Sequence, residues 1–537
     1  MIMDNSKLHL DEKLCLLCTN SKMEEKLMKD NFKSIQTYKN ILMNILAFFV
    51  QFIISFYISP VIVSGVGTAA YGYIGLANDF VSYASIIASV FNSVAARFIA
   101  NCLYKKEIDK ANKYFNSLIV ANFVIAIVLS IVSTILIPNL DSFISIPSDI
   151  LFDVKVSFTL TFVSYIITLI TMVFTTSTFI SNRTDIQGVR NIIQQLIRFA
   201  LIVVLLNFIS IRLYWVSFAM LIATIVVAIM NIRLTHILTP ELTFDLKNAK
   251  KEYAFDLAKS GCWMALTSIS TILLRGLDLT IANVLLGSDE MGVLSIARTF
   301  PNNITSIIGT IAPIFTPVFI AMYVQKKKKE LDKKIIESIS IISLIMYVPI
   351  TGFIIYSNDF YSLWQGSLSQ EEITVITILS TTTVIQAYFN ASTASLAQLS
   401  VVANKLKLPV FVSLFCGIIS VSLDFFLIKC TRLGIYAIAI SPTIVMIIRY
   451  VFFNSVYGAY CLDMPKFHYL LNVIKTWIII PVLLAVIGYI HKVLPCDSWL
   501  TFVCSAGVSG IVGYLIMLVI YQRERVLQVL HRGKGKC

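Results

Sequence analysis

Long apolar segments recur along almost the whole chain and constrain its fold more than any other feature. Between residues 41 and 521 the sequence holds about fourteen stretches of roughly 20 mostly apolar residues, the length that an α-helix needs to cross a bilayer. Hydrophobic residues make up 57% of the 537 residues and charged residues only 14%, more apolar surface than a soluble protein of this size can shield from water. The sequence therefore predicts an all-α integral membrane protein with about fourteen transmembrane helices.

The distribution of positive charge predicts the orientation of these helices. Alternate segments, including the tails 1–40 and 522–537, hold roughly 33 Lys and Arg on one side of the membrane. The loops on the other side hold four such residues, namely Arg212, Lys429, Arg432 and Lys492. Because loops rich in Lys and Arg stay in the cytoplasm, both termini are predicted to be cytoplasmic.

The same pattern bears on the binding partners. A net charge of +13 spread over short clusters between apolar runs is typical of membrane topology, so nucleic acid is not predicted as a partner. The basic tail 522–537 is instead predicted to bind anionic membrane lipids. Cysteines 15 and 18 form a single pair without a second pair or a nearby histidine, and neither a metal site nor a cofactor is predicted.

A short segment occurs twice in the chain. The residues from 67 to 80 align with those from 287 to 300 at an offset of 220, and both copies share two glycines, an alanine and a phenylalanine. Each copy leads into the second helix of a six-helix block. Because six is even, two such blocks have the same orientation and are related as parallel repeats with a cleft between them.

This repeat predicts the domain organisation. Two lobes, residues 41–235 and 262–457, are joined by a cytoplasmic linker at 236–261, and two further helices at 458–521 lie outside the repeat. An arrangement of this kind suits alternating access, in which one lobe rocks against the other around a central site. The two lobes supply the cleft between them, so a monomer is predicted.

Ionisable residues inside the predicted spans are the candidates for a functional site, because burying charge in a bilayer is costly. Arg275 is the most informative, since it lies well inside predicted helix seven and its guanidinium fork matches phosphate oxygens. Asp278, three residues on, either neutralises Arg275, holds its fork in place or couples to H⁺ or Na⁺. The other candidates for the cavity are Arg198, Arg298 and Arg449, with Asp79 as a further charge partner or coupling residue.

Two prolines in predicted helix eight, Pro313 and Pro317, are candidates for a kink. Proline removes a backbone hydrogen bond, and transporter helices are broken in this way. The kink either serves gating or is passive.

The stretch Asp-Leu-Thr-Ile-Ala-Asn-Val-Leu-Leu-Gly at 278–287, followed by Gly292 and Ala297, resembles a known group. Together with Phe-Asp-Leu-Ala-Lys-Ser-Gly at 255–261, it is similar to the bacterial polysaccharide flippases of the multidrug/oligosaccharidyl-lipid/polysaccharide superfamily. The resemblance implies a transporter in the bacterial inner membrane that flips undecaprenyl-pyrophosphate-linked oligosaccharides. In that family the flipped oligosaccharides are used to build O-antigen of lipopolysaccharide, capsule or exopolysaccharide. The resemblance also implies other polysaccharide assembly proteins as partners.

Two rival functions stay open at this point. A cation-coupled multidrug antiporter shares the superfamily but needs an acidic cavity, whereas arginines here rival carboxylates within the spans. A membrane-embedded polysaccharide biosynthesis enzyme needs a base or nucleophile at a wet surface, and all five histidines lie in tails or at span ends. The sequence therefore predicts a transporter and no enzyme.

Overall fold

The computed structural model describes residues 50–521, together with Met43 and Leu46. Within that part of the chain the elements are helical, and 13 helices are long and apolar enough to cross a membrane. A shorter apolar helix, Val50–Val66, corresponds to the first predicted span. The multi-pass helical membrane fold is thus confirmed, while the predicted tails 1–40 and 522–537 lie outside the described residues.

The helices are numbered in chain order, with one short helix, Asp278–Leu285, left unnumbered. Their bounds are α1 Val50–Val66, α2 Thr68–Tyr104, α3 Ile108–Leu136, α4 Leu151–Ile180, α5 Asp185–Phe208, α6 Tyr214–Leu238, α7 Lys251–Arg275, α8 Ser288–Val324, α9 Lys328–Trp364, α10 Gln370–Val402, α11 Lys407–Cys430, α12 Ile435–Cys461, α13 His468–Val493 and α14 Trp499–Ile520.

Positive φ angles recur in the backbone at the same offset of 220 residues as the repeated sequence segment. Gly67 and Gly287, which precede α2 and α8, both have positive φ angles, of 102° and 124°. Lys106 and Lys326, in the turns after these helices, have φ angles of 60° and 57°. Glycine tolerates this backbone region at no steric cost, whereas a lysine does not. Helices α2 and α8 therefore begin and end with the same backbone conformations, as expected for the predicted parallel repeats.

Hydroxyl side chains join neighbouring helices within the first half. Ser157 of α4 and Ser217 of α6 lie 2.6 Å apart, and Ser164 and Thr224, one heptad further along, lie 2.9 Å apart. All four are buried. In a bilayer, where lipid is as apolar as leucine, small hydroxyl residues let helices approach closely and hydrogen-bond to each other.

The linker between the halves is shorter than predicted and is bound to α3. It runs from residue 239 to 250, because the charged segment that begins at Lys251 continues α7 beyond its apolar part. Asn112 donates to the carbonyl of Glu241 and accepts from the backbone N–H of Thr243, at 2.9 and 2.8 Å. Asn116 binds the backbone of Thr243 and Asp245 in the same way, both at 2.9 Å.

The two halves meet along α2, which packs against both α7 and α8. Gly72 and Gly292 touch backbone to backbone: a Cβ on Gly72 would lie 3.0 Å from the Cα of Gly292. Beside them, Asn283 donates to the Ser145 carbonyl at 3.0 Å and accepts from the Ser145 N–H at 2.8 Å. We call the Gly72–Gly292 contact the seam. It closes the halves against each other near the predicted outer ends of α2 and α8.

Helices α13 and α14 pack mainly against α9, and Trp499 at the start of α14 also packs edge-to-face on Phe56 of α1, with 5.6 Å between ring centroids. The Tyr356 hydroxyl of α9 bonds to Ser505 and Ser509 of α14, at 2.8 and 2.7 Å. These two helices widen the second half, and their inner faces form one wall of a pocket described below.

Candidate functional site: a polar cavity between the halves

A cavity of about 630 Å³ lies between the halves, between the seam and the middle of the helices. Helices α1, α2, α4, α5 and α6 line it from the first half, and α8 lines it from the second. Its more polar wall residues are Gln51, Asn78, Asp79, Thr168, Gln195, Arg198, Arg298, Asn302 and Asn303. A polar chamber of this size inside an apolar bundle can hold a hydrated or sugar-bearing ligand, since pockets that enclose small molecules span roughly 300–1,000 Å³.

The cavity wall contains one carboxylate and two guanidinium groups. Asp79 of α2 and Arg298 of α8 form an ion pair across the halves, with 3.5 Å between Oδ2 and Nη1. Both side chains are more than four-fifths buried, and Arg298 also donates from Nη2 to the carbonyl of Arg275 at 3.1 Å. The charges of Asp79 and Arg298 cancel, so the cavity wall has a net positive charge, which comes from Arg198.

Arg198 of α5 is the third charge and has a different environment. No carboxylate among the described residues forms an ion pair with it, and its buried Nε has no hydrogen-bond partner. The guanidinium lies close enough to the Tyr71 hydroxyl to interact with it electrostatically. A guanidinium keeps its charge at any working pH, so these free donors are available to an anionic ligand.

Arg275 does not lie on the wall of the polar cavity. It is the last residue of α7, where it donates to the Tyr450 hydroxyl at 3.0 Å and to Gln386 Oε1 at 3.4 Å. The helix breaks at Gly276 before Asp278, so the two side chains no longer share a helical face and form no ion pair. Neutralisation of Arg275 by Asp278 was one of the alternatives that the sequence left open; the acid that pairs with an arginine of the cavity wall is Asp79.

Asp278 and Arg275 line a second cavity of about 20 Å³, room for a water molecule or a small cation, enclosed mainly by the second half. Asp424 of α11 interacts electrostatically with Asp278 and lies beside Ser441. Asp424 is 1% exposed, and its Oδ1 has no hydrogen-bond partner in the structure. An ionised carboxylate within a span is costly, and a proton or a cation would offset that cost.

The remaining predicted residues lie apart from both cavities. Arg449 begins a π-helical turn, 449–454, in α12 and has only a weak contact to the Met446 sulfur, at 4.0 Å. In α8, Pro313 and Pro317 flank a change of helix type: residues 312–315 are 3₁₀-helical and α-helix resumes at Thr316. Proline cannot donate the backbone bond of a regular α-helix, so the change of pitch follows from these residues.

An aromatic pocket of about 430 Å³ adjoins the polar cavity. Helices α1 and α8 separate the two spaces: Gln51 and Arg298 line the polar side, while Phe52 and Phe300 line the aromatic side. Phe300 stacks on Phe353 of α9 with 3.9 Å between ring centroids. The opposite wall of the aromatic pocket comes from α13 and α14 and consists of Ile487, Phe502, Ala506, Ser509, Gly510 and Tyr514.

The sequence did not indicate this pocket. Phe52 and Phe56 are four residues apart and share a helix face, which was a readable signal. The facing residues from α9 and α14 are hundreds of positions away, and hydropathy does not reveal which apolar faces meet.

The chain has recognisable relatives in sequence and in structure. The model of a family described as polysaccharide biosynthesis protein matches residues 37–322, more than half of the chain. The uncharacterized membrane protein EpsK of Bacillus subtilis (strain 168) is 23% identical over 502 residues, which cover 92% of this chain and 97% of EpsK.

Two solved structures share the fold. One is the lipid II flippase MurJ in an inward closed conformation, with a TM-score of 0.69 and 16% identity over 90% of this chain and 100% of that chain. The other is the inward-facing conformation of a multidrug resistance MATE family transporter of the MOP superfamily, with a TM-score of 0.65 and 13% identity over 75% and 93%. The chain therefore has the MATE- and MurJ-like fold.

Proposed function

The chain belongs to the polysaccharide biosynthesis protein family, and from this premise we propose that it flips undecaprenyl-pyrophosphate-linked oligosaccharides across the bacterial inner membrane by alternating access. The observation that carries the proposal is Arg198, an unpaired guanidinium on the wall of the polar cavity. It supplies the donors that a pyrophosphate requires, while the neighbouring amides and hydroxyls can bind sugar hydroxyl groups.

The charge of the cavity supports an anionic cargo over a cationic drug. Asp79 is bound to Arg298, so the cavity offers no free carboxylate among the residues that line it. A cavity that attracts cations needs an excess of acid, and the net charge here has the opposite sign.

The aromatic pocket supports a cargo with a lipid tail. A lipid-linked sugar has a polar head that must avoid hydrocarbon and a polyprenyl chain that must avoid water. The polar cavity and the aromatic pocket lie on opposite sides of α1 and α8, so on this proposal the two helices part during transport and one molecule extends into both spaces. On this proposal the protein performs no covalent chemistry, works as a monomer and hands its cargo on to other polysaccharide assembly proteins.

The test is flipping of a lipid-linked oligosaccharide by the full-length protein in proteoliposomes, read out by access of an impermeant glycosidase to labelled sugar. We expect Arg198→Ala to slow flipping about 10-fold or more, because a hydrogen bond to a charged group is worth about 1.5–3 kcal/mol. Arg198→Lys should restore part of the rate, since it keeps the charge but loses the fork.

Arg449→Ala is the matched control, because Arg449 is also a partly buried arginine within a span but lines neither cavity. Equal rates for Arg198→Ala and Arg449→Ala would refute the role of Arg198. A native protein that flips no lipid-linked sugar but exports a cationic dye would establish the drug antiporter instead.

The same vesicles test coupling to an ion. We propose that Asp278 and Asp424 bind H⁺ or Na⁺, because an ionised carboxylate inside a span is costly, Asp278 lines a small enclosed cavity and the buried Asp424 Oδ1 has no hydrogen-bond partner. Flipping should then respond to an imposed sodium or pH gradient, and Asp424→Asn should abolish that response. A native rate that is the same with and without either gradient would remove coupling from the proposal.

A further inference from the structure

Three side chains with metal-binding atoms converge at the predicted outer end of the second half. They are Asp359 of α9, His491 in the last turn of α13, and Cys496 in the turn that leads to α14. We call them the outer triad. One carboxylate oxygen, one imidazole nitrogen and the sulfur all lie within 4.8 Å of one another, and all three residues are partly buried. Cys496 is a free thiol.

The ring of His491 is already oriented for such a role. Its Nε2 lies 2.7 Å from the Asp359 carboxylate, and its ring packs edge-to-face on Tyr356 with 4.8 Å between centroids. The Tyr356 hydroxyl is in turn held by Ser505 and Ser509 of α14. The imidazole is therefore held by two residues of α9, one of which is fixed in turn by α14, as the ligands of metal sites commonly are.

The set of donor atoms selects the metal. Nitrogen, sulfur and carboxylate oxygen at partly buried positions are the ligands of Zn²⁺, which binds them at about 2.0–2.3 Å in a tetrahedron. Ligand atoms around such an ion lie roughly 3.6 Å apart, a separation that follows from those bond lengths. The three atoms lie within 4.8 Å of one another, with 2.7 Å between His491 Nε2 and Asp359, so shifts of about 1 Å in these side chains complete the site.

We propose that the outer triad binds one zinc ion, with water in the fourth position, and thereby joins the turn between α13 and α14 to α9. The consequence is mechanical. Helices α13 and α14 form one wall of the aromatic pocket, so a metal at their joined end fixes the width of that pocket. The proposal does not depend on the transported cargo, and it adds a metal site where spacing along the sequence predicted none.

The chain contains its own control for this site. His468 of α13 pairs with Asp332 of α9 at 2.9 Å, a second histidine–carboxylate pair between the same two helices. The described part of the chain places no cysteine within reach of that pair to complete a group of three. The two pairs thus differ in the thiol, and the thiol is what the zinc proposal requires.

The experiment measures zinc binding by the full-length protein in detergent after removal of metals with a chelator. Titration against a fluorescent zinc indicator gives stoichiometry and affinity, and Co²⁺ in place of Zn²⁺ reports sulfur ligation through its thiolate charge-transfer absorption. We expect one tightly bound zinc per chain in the native protein. His491→Gln and Cys496→Ser should weaken binding about 100-fold or more, and Cys496→Ser should also abolish the cobalt absorption.

Two variants should leave binding unchanged: His468→Gln, in the control pair, and Cys504→Ser, at an exposed cysteine of α14. The proposal is refuted if native protein binds no zinc at micromolar concentration, or if Cys496→Ser binds it as tightly as the native protein. Loss of binding in His468→Gln as well would equally overturn it, because the ion would then not reside at the outer triad. Unchanged thermal unfolding of metal-free Cys496→Ser and native protein verifies that the variant is folded.

Discussion

At the scale of single residues, the seam depends on the absence of side chains. A Cβ on Gly292 would lie 2.4 Å from the backbone carbon and oxygen of Thr68, closer than van der Waals contact allows. These atoms belong to a helix start and cannot rotate away as a flexible side chain can. Small residues let helices approach to this distance in a membrane, where packing itself drives association.

We therefore expect Gly292→Ala to separate α2 from α8 near their predicted outer ends and to destabilise the protein by about 1–3 kcal/mol, the range for overpacking a close contact. Thermal unfolding in detergent measures the effect. Gly309→Ala is the matched control: it lies in the same helix, and a Cβ there meets no atom within 4 Å. Equal unfolding temperatures for the two variants would contradict a tight seam.

At this scale the positions of the charged residues could be predicted from the sequence, but their contacts could not. Every charge at the polar cavity was recognisable, because Asp79, Arg198 and Arg298 stand out in apolar surroundings. The pairing of the charges was not recognisable. A spacing of three residues brings Arg275 and Asp278 together only while the helix continues. The break at Gly276 redirects both side chains, and the partners Gln386 and Tyr450 come from distant helices.

At the scale of elements, the linker is almost entirely irregular, but hydrogen bonds from α3 fix its backbone. The amides of Asn112 and Asn116 each bind the linker backbone through both a donor and an acceptor. Asn116 is fully buried. The linker is thus bound to α3, and the bonds of Ser117 to the backbone of Lys250 extend this attachment to the start of α7.

We expect Asn116→Ala to release the linker, because its two partly buried hydrogen bonds to the backbone of Thr243 and Asp245 are lost, at a cost of about 0.5–1.5 kcal/mol each. Limited trypsin digestion measures the release, since Lys247, Lys250 and Lys251 lie in or beside the segment. Cleavage there should accelerate several-fold.

Asn139→Ala provides the comparison, as Asn139 is exposed and its side chain bonds to the Ile135 carbonyl one turn earlier. If both variants are cut at the native rate, the linker does not depend on Asn116.

Helix positions were predictable at this scale, whereas their ends were less so. Hydropathy sums over about 20 residues, which makes the apolar centre of each span a strong signal. The charged first turns of α7, from Lys251, carry no such signal, so the predicted span began later than the helix does. The linker's extended path depends on two asparagines of α3, which nothing in the linker sequence reveals.

At the scale of the whole molecule, orientation in the membrane follows from charge summed over all loops. The two faces differ by roughly 33 against four Lys and Arg in the predicted topology, an asymmetry that a wrong span count among the first nine helices would remove. We therefore propose that both termini face the cytoplasm and that Cys430, exposed at the end of α11, faces outward.

Labelling of intact cells with an impermeant maleimide measures this orientation. A variant in which Cys430 is the sole cysteine should react from outside, and the same background with Cys430→Ser and Lys405→Cys should react only after lysis. Lys405 lies at the opposite end of α11, so the two positions form a matched pair. The reverse labelling pattern would invert the topology.

The seam also determines how the two halves relate as a symmetric pair. Gly72 and Gly292 are equivalent positions in the repeat, and they touch each other. A residue that contacts its own counterpart lies on a twofold axis, as in the isologous interface of a homodimer, so this single chain has the symmetry of two joined subunits. The counterpart of Arg298 is Asn78, and that of Asp79 is Thr299, so the charges of the cavity arise where the symmetry fails. The glycines that are identical in the two halves form the contact between them. The equivalent positions that differ, Asp79 against Thr299 and Arg298 against Asn78, supply charges to the cavity that have no counterpart in the other half.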